Sequence, residues 1–195
     1  LYNDRLLLND GYGNFTSDPK RVPNLSTNGC VVRPIDYDLD GDIDLFIGGH
    51  NKPGAYPLGD YSYLLKNNNG YFEDFTNVIL PDLGEFGLVT DAQWSDINND
   101  GRQDLIIVGE YSPIAIFLNL EDGFERLRSD TLDEATGLWR SIEVLDYDND
   151  GDLDFLLGNL GKNNMLSISS ETPLTISTRD IDNNGSVDPL MFNSQ

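Results

Sequence analysis

Basic residues are scarce. The 195-residue chain carries 12 Lys and Arg against 34 Asp and Glu, a formal net charge of −22 at pH 7. Nucleic acid and anionic membrane both require a basic protein face, so neither is an expected partner. Cysteine occurs once, at Cys30, and histidine once, at His50. A single cysteine excludes an internal disulfide framework and any cysteine-rich zinc site. Set in the apolar run CVVRPI, Cys30 is expected as a small buried filler. With one histidine there is no second imidazole for zinc and little scope for nucleophile–His catalysis, so His50 is expected as a loop residue. No stretch reaches the roughly 18 apolar residues of a membrane span, and no signal peptide is visible. Membrane insertion is therefore not expected. The opening LYNDRLLLND already reads as structure, as in a mature form or an excised fragment. The 3.6-residue period of a long amphipathic helix is missing too; SDTLDEATGLWRS holds one short helical turn at most.

Turn-forming residues are plentiful, with 19 glycines and nine prolines beside a hydrophobic fraction of 38%. That balance is lean for a single globule and suits a β-rich chain with many turns. Self-comparison reveals why. DYDLDGDID begins at Asp36, DINNDGRQD at Asp96, DYDNDGDLD at Asp146 and DIDNNGSVD at Asp180, with spacings of 60, 50 and 34 residues. All four share Asp at position 1, Asp or Asn at positions 3 and 5, Gly at 6 and Asp at 9.

The flanks repeat as well. Two and four residues before the first Asp lie Trp94 and Ala92, Val144 and Ile142, and Thr178 and Ile176. Between them stand mostly polar residues such as Gln93, Asp91, Glu143 and Ser141. This period of two marks a strand with one dry face, and Trp94 and Trp139 are expected in the core. After each motif comes a continuous apolar run, LFIGG, LIIVG, FLLG or PLMF, as in strands covered on both faces. Then follow hairpins: LLLNDGYGNF, YLLKNNNGYF and AIFLNLEDGF. Strand, acidic loop, strand, connection, strand, turn, strand, at about 50 residues per unit, is the pattern of a propeller blade. The expected fold is all-β: a propeller of four-stranded antiparallel blades, present as a partial ring of about three to four. The units are a half blade at 1–29, blades at 30–89 and 90–138, a shortened blade at 139–173 and the start of another at 174–195.

Four carboxylates in one small loop repel by about 1 kcal/mol per pair in water and about 4 kcal/mol at an effective dielectric near 20. The loop must splay into solvent or hold a cation. A glycine at position 6 and a buried strand starting at position 9 favour the cation, because a splayed segment needs neither. Positions 1, 3 and 5 can aim side-chain oxygens at one point, position 7 can add its backbone carbonyl, and position 9 can close the shell. The candidate ligands are Asp36, Asp38, Asp40, Asp42 and Asp44 in the first loop. The second has Asp96, Asn98, Asp100, Arg102 and Asp104. The third has Asp146, Asp148, Asp150, Asp152 and Asp154, and the fourth Asp180, Asp182, Asn184, Ser186 and Asp188. Six or seven hard oxygens at about 2.3–2.6 Å is calcium chemistry, with up to four ions. Magnesium prefers an octahedron with retained waters, and zinc wants His or Cys. An EF-hand would need Glu at position 12 and a helix after it; here position 12 is Ile47, Ile107, Leu157 and Met191, within strands. Affinity is expected to follow carboxylate number, leaving the loops at Asp96 and Asp180 the first to empty, since Asn98 and Asn184 each replace one.

The repeated DxDxDGxxD with an apolar strand at blade spacing resembles the FG-GAP, or VCBS-type, repeats of integrin α-subunit propellers and many bacterial exported proteins. LLLNDGYGNFT, DYDNDGDLDFLLGNLG and DIDNNGSVDPL are most similar to bacterial proteins that carry an ASPIC/UnbV module and are related to cartilage acidic protein. The module itself is not in this sequence. The resemblance implies a calcium-binding propeller outside the cytoplasm, used for adhesion or protein interaction. Integrin-like rings need roughly 350 residues at this repeat length. The chain is therefore expected as part of a larger propeller, with closure of a four-bladed ring as the alternative.

These readings converge on a non-enzymatic, calcium-stabilised scaffold at the cell surface, outer membrane-associated or secreted. Its partners would be another protein or the remaining blades of a larger polypeptide, possibly a glycan. Weak acidic loops fill at the millimolar calcium found outside cells. The insertion HNKPGAYPLGDY is longer than a tight connection needs. Tyr56 and Tyr61 there, with Tyr63 just after it, either form a contact surface or pack on their own blade. A lectin is the alternative, and a propeller glycan hydrolase or lyase the third reading, with the clustered acids already committed to the loops.

Overall fold

The structure, a computed structural model, describes residues 4–84, 86–161 and 172–193. The interior of the expected shortened blade and both chain ends thus lie outside the described residues. It is all-β, built from small antiparallel sheets in sequence order. Strands β1 (Leu7–Asn9) and β2 (Phe15–Ser17) form a hairpin. Strands β3 (Gly29–Ile35), β4 (Asp44–Gly49), β5 (Tyr63–Asn68) and β6 (Tyr71–Asp74) make the first four-stranded blade. Strands β7 (Leu88–Ser95), β8 (Asp104–Ser112), β9 (Ala115–Leu120) and β10 (Gly123–Leu127) make the second. Strands β11 (Gly137–Leu145) and β12 (Asp154–Asn159) begin a third and join β8 where Gly137 faces Ser112 and Leu138 faces Glu110. Strands β13 (Leu174–Arg179) and β14 (Asp188–Asn193) pair around the fourth acidic turn.

The unbroken apolar run of β8 has a direct cause. Its alternate residues face two different neighbours. Leu105 and Ile107 enter a core shared with the first blade, beside Val31, Phe46, Leu64 and Val89. Ile106 and Val108 enter a second core shared with the third unit, beside Ile116 and Ile142. A strand wedged between two blades has no wet face, so period-two alternation disappears. The run of β4 is closed on both faces too, with Phe46 0% and Ile47 2% exposed, whereas those of the third and fourth units are open: Leu156 is 66% exposed, Leu190 44% and Met191 43%. Coverage on both faces was expected for all four runs and holds for the first two. Trp94 and Trp139 pack half-buried at the margins of the two cores.

The innermost strands of the first three units each carry an irregularity at the same place. The register shifts across Cys30 in β3, Thr90 in β7 and Arg140 in β11. A bulge re-aims the extra side chain, here across the blade boundary. Cys30 Sγ lies 3.9 Å from the Thr90 carbonyl, Thr90 Oγ1 lies 3.0 Å from the Trp139 carbonyl, and the Arg140 guanidinium reaches back to Glu110. Cys30 is consequently exposed, not the buried filler expected from its apolar flank; the bulge lifts it out of the core-facing register that Val31 holds.

Two short helical pieces were missed in the sequence. Helix α1 (Thr76–Ile79) and the 3-10 turn Pro81–Leu83 join the outer strand of the first blade to the inner strand of the second, and bury Leu80 and Leu83 in the first core. Helix α2 (Asp130–Glu134) falls inside the stretch where one helical turn was expected.

Asp91 is the other correction to the dry-face pattern. It was counted among polar outward residues, yet it is nearly buried and links three blades. Its Oδ1 accepts from Arg33 Nη2 of the first blade at 2.5 Å and from the Ala92 N–H at 2.8 Å, while Oδ2 accepts from the Ile142 N–H of the third unit at 3.1 Å. Arg33 Nε also donates to the Ala92 carbonyl at 2.6 Å. Asp91→Ala strands these donors and should cost about 2–4 kcal/mol, read as a lower midpoint in urea unfolding. A change below about 0.5 kcal/mol would show the network to be incidental.

Candidate metal centres

The four acidic turns share one hydrogen-bond plan. The position-1 carboxylate accepts the N–H of positions 5 and 6: Asp40 and Gly41 on Asp36, Asp100 and Gly101 on Asp96, Asp150 and Gly151 on Asp146, Asn184 and Gly185 on Asp180, all between 2.8 and 3.2 Å. The position-3 oxygen also accepts the position-5 N–H, at 3.0–3.3 Å. The position-5 oxygen accepts the N–H of position 7, from Asp42, Arg102, Asp152 or Ser186, at 2.7–2.9 Å. Position 9 turns back to the N–H of position 2, at 2.8–3.2 Å. Side chains 1, 3 and 5 are thereby drawn inward by the turn's own backbone.

The backbone reverses through two left-handed residues. Glycine at position 6 has φ of +88 to +97°, and an added Cβ would meet nothing within 4 Å, so conformation and not crowding selects glycine. Position 4 is left-handed too: Leu39 +61°, Asn99 +57°, Asn149 +62° and Asn183 +59°. The sequence reading assigned the reversal to glycine alone. The asparagine at position 4 in three turns was the signal for the second residue, because Asn tolerates this region better than other side chains with a Cβ.

Converging oxygens result. Asp36, Asp38 and Asp40 place carboxylate oxygens within 4.8 Å of one another, as do Asp146, Asp148 and Asp154, and Asp180, Asp182 and Asp188. In the second turn Asn98 stands at position 3, and no carboxylate triplet forms there among the described residues. Instead Asn98 Nδ2 donates to Asp100 Oδ2 at 2.9 Å, just as Asn184 Nδ2 donates to Asp182 Oδ2 at 3.0 Å. An amide at these positions takes up part of the repulsion that a third carboxylate would add.

Lys66 separates the first turn from the rest. Its ammonium pairs with Asp38 and lies 3.1 Å from Asp40. Hydrogen bonds to these two carboxylates raise the Lys66 pKa, and that of Asp40 is lowered, first by the Asp42 N–H and then by Lys66. Lys66 precedes Asn67 on β5 as Leu118 precedes Asn119 on β9 and Leu8 precedes Asn9 on β1; the three asparagines face Phe72, Phe124 and Phe15 across their hairpins. An apolar residue thus occupies the equivalent place in the other two hairpins.

Position 9 is both the last residue of the turn and the first of a strand. Asp44 and Asp104 are fully buried. Besides the position-2 N–H, each accepts a third-strand N–H, from Asn67 and Asn119, both at 2.7 Å. Asp154 and Asp188 are more open. Burial pushes the Asp44 carboxyl up to about 6 despite its two N–H donors, and raises Asp104 for the same reason.

The aromatic insertion closes onto the chain itself. Lys52 N–H donates to the Leu58 carbonyl and Asp60 N–H to the His50 carbonyl. The Tyr56 hydroxyl donates to Glu110 Oε2 of the second blade at 2.8 Å and lies 2.8 Å from the Tyr111 hydroxyl. Arg140 Nη1 donates to Glu110 Oε1 at 2.5 Å, and His50 Nε2 lies 3.7 Å from the same oxygen. Tyr61 bonds Asn77 and its ring lies against Tyr63, the centroids 4.8 Å apart. All three tyrosines are half-buried, so of the two readings of this loop the geometry supports packing.

Residues 36–107 and 96–157 each match the family model of the FG-GAP-like repeat, the two matches sharing the second turn and the start of β8 and together spanning more than half of the chain. No curated protein matches the chain. Among the described residues no helix is long and apolar enough to cross a membrane.

A carboxyl raised in the folded chain takes up its proton before it does when unfolded, where Asp titrates near about 3.9. The Asp44 contribution to the stability of the metal-free protein then falls as pH rises from about 4 through the Asp44 value of about 6. Urea midpoints measured between pH 4.5 and 7.5 after chelation should show this slope, and Asp44→Asn should flatten it. An unchanged slope in the variant would assign the effect to other groups.

Proposed function

The chain belongs to the FG-GAP-like repeat family, and on that premise we propose that it is a calcium-stabilised propeller segment acting outside the cytoplasm as a non-enzymatic scaffold for protein interaction or adhesion. The observation that carries this reading is the convergence of side-chain oxygens in turns already shaped by their own N–H groups. The turn's own N–H groups thus fix its backbone and leave the carboxylates as the part that a cation orders. The donor set suits a hard cation: carboxylate and amide oxygens throughout, with no imidazole or thiol in any turn. Side chains at positions 1, 3, 5 and 9 and the main-chain carbonyl at position 7 would hold it. The ion supplies charge neutralisation where like charges crowd, and through position 9 it would fasten each turn to the strand behind it.

The placement outside the cytoplasm draws support from the same chemistry. Exposed turns of this kind fill at millimolar calcium, FG-GAP-type repeats typically occur in extracellular proteins, and the likeness to bacterial exported proteins of the ASPIC/UnbV-associated kind points the same way. The scaffold reading draws on the rigidity of blades stitched together by Asp91 and the bulge residues, which leaves loops as the variable parts.

Calcium titration of the chelated protein by calorimetry should register binding, with a rise in Tm that corresponds to about 2.7 kcal/mol at 100 times Kd. Combined replacement of Asp36, Asp96, Asp146 and Asp180 by Ala should abolish both. Neither heat nor Tm shift in the intact protein at millimolar calcium would overturn the proposal.

Lys66 refines the expected order of affinity. Its charge stands where a cation would be drawn to Asp38 and Asp40, and removing it lifts that repulsion. Lys66→Met should therefore tighten calcium at the first turn at least about fivefold. No gain at that turn would mean that the lysine moves aside at no cost.

A further inference from the structure

Beyond the binding of calcium by individual turns, on which this inference rests, one buried residue connects two of them. Asn119 on β9 is 2% exposed. Its backbone N–H donates to Asp104 Oδ1, position 9 of the second turn, at 2.7 Å. Its side-chain Nδ2 crosses the blade boundary and donates to the Tyr37 carbonyl, position 2 of the first turn, at 2.8 Å; the same nitrogen lies 3.2 Å from the Gln103 carbonyl. Tyr37 in turn gives its own N–H to Asp44 Oδ2 at 3.2 Å. A path runs from one position-9 carboxylate to the other through Asp44, the Tyr37 backbone on both sides of its Cα, Asn119 and Asp104.

The counterpart in the first blade does only half of this. Asn67 gives its N–H to Asp44 Oδ1, but its side chain stays at home, with Nδ2 on the Ile43 carbonyl at 2.9 Å and Oδ1 on the Gly70 N–H at 2.7 Å. Asn119 keeps the equivalent home contact, to the Gln103 carbonyl at position 8 of its turn, and adds to it the bond to the neighbouring turn. The surroundings leave the path little slack. Tyr37 is 6% exposed, and its ring packs 6.0 Å from Phe124, the residue opposite Asn119 across the β9–β10 hairpin.

We infer that the first and second turns bind calcium cooperatively, with Asn119 as the positioning residue that couples them. A cation that draws Asp104 into place fixes the Asn119 backbone. The fixed amide then holds the Tyr37 carbonyl, and with it the N–H that orients Asp44. The second cation meets a turn already ordered, and linkage makes the effect reciprocal.

The test uses the whole chain and calcium alone, with NMR signals of the Gly41 and Gly101 amides as separate reporters, since each donates to the position-1 aspartate of its own turn. Asp100→Asn weakens the second turn, leaving it only the carboxylates of Asp96 and Asp104, while keeping an oxygen for the Arg102 N–H. The Gly41 midpoint should then move to about fivefold higher calcium, within the usual range of coupling. In an Asn119→Ala background, which retains the backbone N–H, adding Asp100→Asn should leave the Gly41 midpoint where it was. A Gly41 midpoint indifferent to Asp100→Asn in the otherwise native chain would overturn the coupling while leaving calcium binding intact, and this comparison decides the matter even where Asn119→Ala fails to fold. If neither glycine responds to calcium, the binding reading itself fails, and the coupling with it.

Discussion

The structure is organised around a conflict at position 9 of the first and second acidic turns. That aspartate must serve a charged loop and begin a strand that is buried as soon as it starts. Asp44 and Asp104 resolve the conflict by accepting an N–H from within the turn and another from the third strand of the blade. Burying a carboxylate without such donors would cost several kcal/mol. With them, the charge becomes a fastener: the turn cannot change shape without disturbing the hairpin behind it. Turn geometry, the start of the apolar strand and the placement of the third strand are thus one constraint, met twice along the chain.

The blades meet through two kinds of contact. Apolar side chains alternate along β8 and β9 into the two cores, which gives adhesion without direction. Direction comes from polar contacts between adjacent blades: Asp91 with Arg33 and the Ile142 amide, the bulge residues Cys30 and Thr90, and Asn119 at the end that carries the acidic turns. Near the opposite ends of the same strands, Glu110 gathers Tyr56, Arg140 and His50. Buried polar contacts with every partner in place specify one mutual orientation of neighbouring sheets, which apolar packing alone does not.

Much of this was legible in advance because it is local. A nine-residue turn closes on itself, so aspartates at positions 1, 3, 5 and 9 and the glycine at 6 could be assigned from spacing alone. The strands and hairpins followed from period and turn chemistry. The residues misread share a different property. Asp91 looked like an outward polar residue, Cys30 like a core filler, and Lys66 drew no notice. Each has its decisive partner 28 to 60 positions away: Lys66 on Asp38, Asp91 on Arg33, Cys30 on Thr90. Asn119 is the extreme case, 82 positions from the carbonyl it holds.

The amino-acid sequence by itself determined the unit: its strands, its acidic turns and the oxygen chemistry they offer, because these depend on neighbours within a few residues and on the fixed geometry of the backbone. The tertiary structure alone decided which units touch, which face of each strand is dry, which turn is shadowed by a lysine and which two turns are joined by an amide. Those outcomes depend on where separate repeats lie in space, and a repeat that reads the same in four places carries no local record of the neighbour it will meet.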